Sequence, residues 1–302
     1  MNYILLTSIW NESQYIHMLI DTVINQTKRP ILWVIINSGT DNSVQECQKL
    51  LSYYDWIHLV RQNKFYDAGY SHRNFAQGIN EAYSAAKRLA SDKGFRYEYI
   101  GKIDATTRLI PSYFEILMQE ISKDDSLAFV CGTQRLLING KYIDILPSKD
   151  GLISALNDIR LYRRDFFERI GGYPISYSPD TVLLIKALNR KLRVKVVDNV
   201  YFVKTRLGGT KIGFWDGYKL KGKSMYWLGY HPFLAMLNSL YISYKFPPHF
   251  AFIPMMQGYI SSLIRGEPQS EDMEVIEYFQ KRRLSEVLRI KMRSMGGGKY
   301  RV

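Results

Sequence analysis

Hydrophobic residues over the first hundred positions alternate between short continuous runs and rows at helical spacing. Tyr3-Ile-Leu-Leu-Thr-Ser reads as a buried strand, and behind Asn11-Glu-Ser-Gln the residues Ile16, Leu19, Ile20, Val23 and Ile24 recur along one helix face. Asn11 and Glu12 are expected to cap that helix and Arg29-Pro30 to stop it. Ile31-Leu-Trp-Val-Ile-Ile is a second strand, followed by the turn Asn37-Ser-Gly-Thr-Asp-Asn-Ser and a helix from Val44 to Leu51. Such a strand–helix–strand unit is expected to be parallel and right-handed. Ile57-His-Leu-Val makes a third strand, a polar loop holds Gly69, His72, Arg73 and Asn74, and a helix covers Phe75 to Leu89. Tyr97 to Ile103 is a fourth strand, ending at Asp104-Ala-Thr-Thr-Arg. In open sheets of this kind ligands bind at the carboxyl ends of the strands, where Asn11, Asn37 and Asp104 fall.

A second design spans residues 160 to 186: a short strand, a charged helix carrying Phe166 and Phe167, a break at Gly171-Gly172, and Asp180 at the mouth of an amphipathic helix. A helix N-terminus favours an ionised carboxylate, so Asp180 is expected to be charged and able to accept a proton; a plain helix cap is the simpler alternative. Beyond about Val203 the composition shifts to Gly, Tyr, Lys and Trp, with an apolar, aromatic stretch at 226 to 245 and Pro247-Pro248 after it. Residues 271 to 293 read as a basic amphipathic helix, with Val275, Ile276, Phe279, Leu284, Val287 and Leu288 opposite a face of lysines and arginines. Such a helix either docks on a core or lies on a membrane surface. The tail from Gly296 is expected to lack order.

Composition narrows the class. With 302 residues, 46% of them hydrophobic, the chain can bury a large core. Its net charge of +13 suits phosphate-bearing ligands, an anionic membrane surface or nucleic acid. The 14% aromatic content follows core periodicity and no nucleic-acid motif is present, so nucleic acid is not expected as a partner. Cys47 and Cys131 have no metal-like spacing, the first residues lack the pattern of a signal peptide, and no apolar run reaches ~18 residues. The expected location is therefore cytoplasmic, with peripheral attachment to the inner face of the membrane as an option.

Five stretches then acquire a common meaning: Ser8-Ile-Trp-Asn-Glu, Thr40-Asp-Asn-Ser, Ile103-Asp-Ala-Thr, Ile170-Gly-Gly-Tyr and Pro179-Asp-Thr. In this order and at these spacings, over roughly residues 1 to 215, they resemble the landmarks of family 2 glycosyltransferases of the GT-A fold. The region after them, with Gly208-Gly-Thr, Tyr226-Trp-Leu-Gly-Tyr-His-Pro and Gly258-Tyr, is more loosely similar to the extension of polysaccharide-type members. The resemblance implies a Rossmann-like, mixed, mostly parallel sheet flanked by helices in residues 1–215, and a helical C-terminal extension in 216–302 that meets the acceptor or a membrane surface. It also implies sugar transfer, with inversion, from a nucleotide-diphosphate sugar to a hydroxyl of a glycan or lipid-linked acceptor.

Carried over residue by residue, Ser8, Trp10, Asn11 and Glu12 line the nucleotide, Asn37 meets the base or ribose, and Arg73 meets the pyrophosphate. Gly171 and Gly172 let a loop face the sugars, and Asp180 is the general base. Asp104 corresponds to the first acid of a D-x-D site that touches the ribose and holds Mg²⁺ or Mn²⁺, weakly in the absence of donor. The chain departs from the family at Ile36-Asn37, where paired acids are usual, at Thr106, which replaces the second acid of D-x-D, and at Pro179, which replaces the acid that usually precedes the base. Lys102, Arg108, Lys204, Arg206 and Lys211 are candidates to share the neutralising of the diphosphate. Three lost acids make an inactive sugar-nucleotide-binding relative the main alternative. A nucleotidyltransferase ranks lower, because no Gly-rich basic loop follows the first strand.

Overall fold

Tyr3–Ile9 (β1) is buried along its whole length, as a parallel strand covered on both faces must be. The structure, a computed structural model, describes residues 1–51, 53–68, 71–138, 141–145, 159–205, 213–245, 249–283 and 285. The chain divides into two units, Met1–Leu207 and Gly208–Val302.

In the first unit β1 is followed by a 3-10 turn at Ser13–Tyr15 and by α1 (Ile16–Ile24). Then come β2 (Leu32–Asn37), α2 (Ser43–Leu51), β3 (Ile57–Arg61), α3 (His72–Asp92), β4 (Tyr99–Lys102), β5 (Thr107–Leu109), α4 (Tyr113–Ser122) and β6 (Leu127–Ile138). β7 (Lys141–Ile145), β8 (Arg160–Arg163), α5 (Arg164–Arg169), α6 (Pro179–Asn189) and β9 (Arg193–Lys204) complete it. The described strands form one sheet in the order β3-β2-β1-β4-β8-β6-β9-β5, with β7 pairing to β6. β1 to β4 are mutually parallel, β8 runs antiparallel to both β4 and β6, and β9 runs parallel to β6. Side-chain alternation divides the core between the two faces. Tyr3, Leu5, Trp33 and Ile35 pack with Ile16 and Leu19 of α1 and Phe114 and Leu117 of α4. Ile4, Leu6, Val34 and Ile36 pack on the other face with Ile79 and Ala82 of α3, Phe166 and Phe167 of α5, and Leu183 of α6.

Several local expectations change. Asn11 caps no helix: its φ of 53° turns the chain away, and α1 begins at Ile16 without a side-chain cap. α1 ends at Ile24, before Arg29-Pro30. His72, Arg73 and Asn74 are not loop residues but the first turn of α3, because the Ser71 hydroxyl accepts from Asn74 N and caps the helix there. Asp180 is not a cap either; Ser178 holds that position and Pro179 the first helical one.

The second unit is helical where described: α7 (Phe214–Trp227), α8 (Pro232–Lys245), α9 (Phe252–Ile264) and α10 (Met273–Glu277), which runs into a π-helical turn at Tyr278–Arg282. α7 and α9 cross at glycines. A Cβ on Gly222 would lie 1.8 Å from Met255 O, and one on Gly258 2.0 Å from Lys219 O. Met225, Tyr226, Ala235, Met255 and Tyr259 fill its core, and Phe279 stacks on Tyr230 at 4.1 Å. The expected helix 271 to 293 thus starts at Met273 and widens into the π turn, with Val275, Ile276 and Phe279 buried as predicted; beyond Arg283 it lies, apart from Ser285, outside the described residues. Two outer rows remain exposed, Phe233, Leu240, Tyr241 and Tyr244 on α8 and Ile253, Ile260, Leu263 and Ile264 on α9. Among the described residues no helix is long and apolar enough to cross a membrane.

Candidate active site

Parallel strands end together, so the turns leaving β1, β2 and β4 share one edge of the sheet. At the β2 turn, Asn37 Nδ2 donates to Gly39 O at 3.2 Å while its Oδ1 accepts from Gly39 N at 3.0 Å. Asn11 reaches across from β1, its Oδ1 accepting from Thr40 N at 2.9 Å and Asp41 N at 3.2 Å. Both amides are therefore engaged in shaping the turn. Glu12 is buried and its N–H donates to Ser43 Oγ, Trp10 is half-buried, and Ser8 faces α3 at Gly78. Asp41 accepts from Ser13 N, Ser43 N and Ser43 Oγ. Burial pushes its carboxyl up, but these donors outweigh that and leave it below its ordinary range.

The next strand end carries charge. Lys102 closes β4 and is paired directly with Arg160 of the antiparallel β8, which places the two side chains on one face of the sheet. Like charges in that position repel, and each is met by an acid. Lys102 Nζ lies 3.2 Å from Asp104 Oδ1, and Arg160 Nη1 lies 3.1 Å from Asp180 Oδ1. The other oxygen of Asp104 meets Lys204 at 3.3 Å, delivered by the end of β9, which pairs with β5 at Thr107. Lys102 also sits over the rings of Phe75, at 4.9 Å, and Tyr173, at 5.5 Å.

Asp180, in the first turn of α6, is held differently. Besides Arg160, the Tyr173 hydroxyl donates to its Oδ1 at 2.9 Å. Burial, with the charge of Asp180 added, pushes the phenol far above its ordinary value, so it remains a donor. Burial disfavours the guanidinium of Arg160, but Asp180 together with Tyr162, Tyr173 and Cys131 outweighs it and its pKa is raised. Among the described residues no hydrogen bond or ion pair reaches Oδ2, and the side chain keeps 31% of its surface exposed. Tyr173 is itself fixed by Asn80 of α3, which accepts from Tyr173 N and donates to Tyr173 O, both at 2.7 Å. That clamp requires glycine next door: Gly172 has φ of 92°, and a Cβ there would stand 2.6 Å from Asn80 Oδ1. Gly171, at φ 83°, meets nothing within 4 Å. Arg73 pairs with Asp67 at 3.6 Å and lies over Tyr66 and Tyr177, the latter in the loop that leads to Asp180.

The edge therefore brings together Asp104, Lys102, Lys204, Arg160, Tyr173 and Asp180. Residues 5–168, over half of the chain, match the model of glycosyl transferase family 2. The chain belongs to this family. Its relatives include the chondroitin synthase of Escherichia coli, 29% identical over 154 residues, and the hyaluronan synthase of Pasteurella multocida, 30% identical over 127 residues. The matched stretches are 49% and 42% of this chain but only 20% and 11% of those relatives, so the chain spans a small part of their length. Two solved structures have the same fold: Staphylococcus aureus TarS 1-349 in complex with UDP-GlcNAc (TM-score 0.55, 14% identity, 100% of this chain and 93% of that one) and the mannosyltransferase PcManGT of Pyrobaculum calidifontis in complex with GDP-Man and Mn²⁺ (TM-score 0.54, 13% identity, 99% and 81%). The mixed sheet of this glycosyltransferase is the GT-A fold.

The family match stops short of Asp180, which rests on geometry alone. Arg160, Tyr173 and Asn80 received no role from the sequence, although Tyr173 closes the Ile170-Gly-Gly-Tyr landmark. Arg206 and Lys211 lie outside the described residues. The donor set fits a resident divalent cation poorly. Asp104 is one carboxylate set between two ammonium groups, Thr106 adds only a hydroxyl, and no cluster of three His, Cys, Asp or Glu is found among the described residues.

Proposed function

We propose that this glycosyltransferase moves a sugar from a nucleoside-diphosphate sugar to an acceptor hydroxyl with inversion, and that Asp180 is the general base. The observation that carries this is the asymmetric carboxylate. Arg160 and Tyr173 fix Oδ1, which leaves Oδ2 without a hydrogen bond or ion pair among the described residues, on a side chain that keeps 31% of its surface exposed. In the reaction the acceptor O–H gives its proton to Oδ2 while its oxygen attacks the anomeric carbon. The bond from that carbon to the diphosphate breaks on the opposite face, and its electron pair leaves with the nucleoside diphosphate. One displacement gives one inversion. Asp104, Ser8, Trp10 and Glu12, with the turn built by Asn11 and Asn37, form the donor side; Arg73 and the Gly171-Gly172 loop border it. A divalent cation of the kind the Mn²⁺-bearing neighbour holds would come only with the donor's phosphates, with Asp104 its one carboxylate in this motif.

UDP-GlcNAc on TarS and GDP-Man on PcManGT support a sugar nucleotide as donor, and the two synthase relatives support a growing glycan or a lipid-linked sugar as acceptor. The exposed apolar rows of α8 and α9, together with the net charge of +13, support an anionic membrane surface as the place of work, as a peripheral protein at the inner face. A panel of sugar nucleotides scored for donor hydrolysis and transfer, with the product anomer read by NMR, tests the reading. Retention of configuration, or no turnover of any donor, would overturn it. Sedimentation with vesicles tests the surface: equal binding to neutral and anionic lipid, or none to either, argues for a soluble acceptor.

A further inference from the structure

Lys102 and Lys204 stand 102 positions apart in sequence count and meet on the two oxygens of one carboxylate. Their side chains are only 2% and 8% exposed, far below what lysine ordinarily accepts. Burying an ammonium group is costly unless its charge is used. Within the trio itself two formal positive charges meet one negative, and at Thr106 a neutral hydroxyl stands where the D-x-D pattern has its second acid. The contacts of Lys102 with Phe75 and Tyr173 are to ring faces, which steady a cation without cancelling its charge. Both lysines lie at strand ends, on the edge where the open sheet takes its ligand. A divalent ion placed on Asp104 would face both ammonium groups at once.

We infer that Lys102 and Lys204 are the fixed cations that bind the donor's diphosphate, so that donor binding needs no divalent ion. This rests on the reading of the edge as the donor site. As the bond from the anomeric carbon to the diphosphate breaks, the leaving oxygen gains negative charge, and the two ammonium groups meet it in place. Any divalent ion that arrives with the donor adds to this charge and does not create the site.

The test is calorimetric titration of the full chain with UDP, GDP and inorganic pyrophosphate, each in Mg²⁺ and again in excess chelator. The expected result is that at least one of these binds and that chelation changes its Kd by less than about threefold. Lys204→Met should weaken binding in chelator by about tenfold or more, while Lys204→Arg keeps most of it. Lys102 is buried enough that its replacement endangers folding, so Lys204 carries the test, with a thermal melt to confirm that the variant is folded. A wild-type affinity that falls more than about tenfold on chelation, or a folded Lys204→Met that binds like wild type, overturns the inference while leaving the donor site standing. No binding of any of the three in either condition overturns the donor-site reading and the lysine role with it.

Discussion

Three of the acids at the sheet edge, Asp41, Asp104 and Asp180, stand in three different states of engagement. Asp41 gives one oxygen to the hydroxyl and backbone N–H of Ser43 in its own turn and the other to the backbone N–H of Ser13 after β1. Asp104 has both oxygens taken by lysines, and Asp180 has one oxygen fixed and the other open. The same side chain thus serves as a fold element, a charge organiser and, in the function proposed above, a proton acceptor, and the difference lies in what surrounds each oxygen. Residue type at a site is therefore a poor guide to role, whereas the count of engaged oxygens is a good one.

That ranking is open to direct attack. Asp180→Asn keeps size and the contact with Tyr173 but removes the proton acceptor, so kcat should fall by about two to four orders of magnitude with donor affinity retained. Unchanged turnover would break the comparison at its strongest point. Asp104→Ala should act on the other quantity, weakening donor binding about 10- to 100-fold, the worth of charge-assisted contacts, with a smaller effect on kcat at saturating donor. A split in which Asp104→Ala lowered only kcat would exchange the two roles. Tyr173→Phe leaves Asp180 with Arg160 alone on its fixed oxygen; activity should drop about tenfold and stability by about 1 kcal/mol, seen by kinetics and by a denaturant melt.

Asp41→Asn should be the mildest, costing less than about 1 kcal/mol and no catalysis, because a partly exposed acid in a turn contributes little. Its effect should depend on pH. A carboxyl whose folded-state pKa is depressed contributes stability that is present above the unfolded value and lost as pH falls through the folded one. Wild type and variant should therefore differ in thermal midpoint near neutrality and converge in strong acid; a difference that grew on acidification would mean that Asp41 does not serve the turn.

The first four strands and their helices were legible because their signals are local: continuous apolar runs for β1, β2, β3 and β4, and helical rows for α1, α2 and α3. The edge itself was legible too, since strand ends in an alternating chain must share one side. What was not legible came from distance. Lys204 lies 100 residues from Asp104 in sequence, and Arg160 becomes the neighbour of Lys102 only through the antiparallel pairing of β4 with β8. No spacing rule leads from either residue to its partner, so Lys102 and Lys204 were named among five candidate cations, while Arg160, which heads the stretch 160 to 186, received no role. Asn11 misled for the opposite reason. Its type and position before a helical row are those of a cap, but a positive φ at Asn11 turned its amide to the β2 turn instead.

The crossing of α7 and α9 has a meaning for how this sequence can drift. With Met255 O and Lys219 O standing where side chains would begin, positions 222 and 258 admit one amino acid of the twenty unless the helices move apart. The outer rows of α8 and α9 have no such restriction, because they touch little of the unit that carries them. Mutation can therefore rewrite what this unit presents outward, residue by residue, while the scaffold beneath stays frozen at two points. New surface preferences become accessible to a descendant of this chain without a new fold.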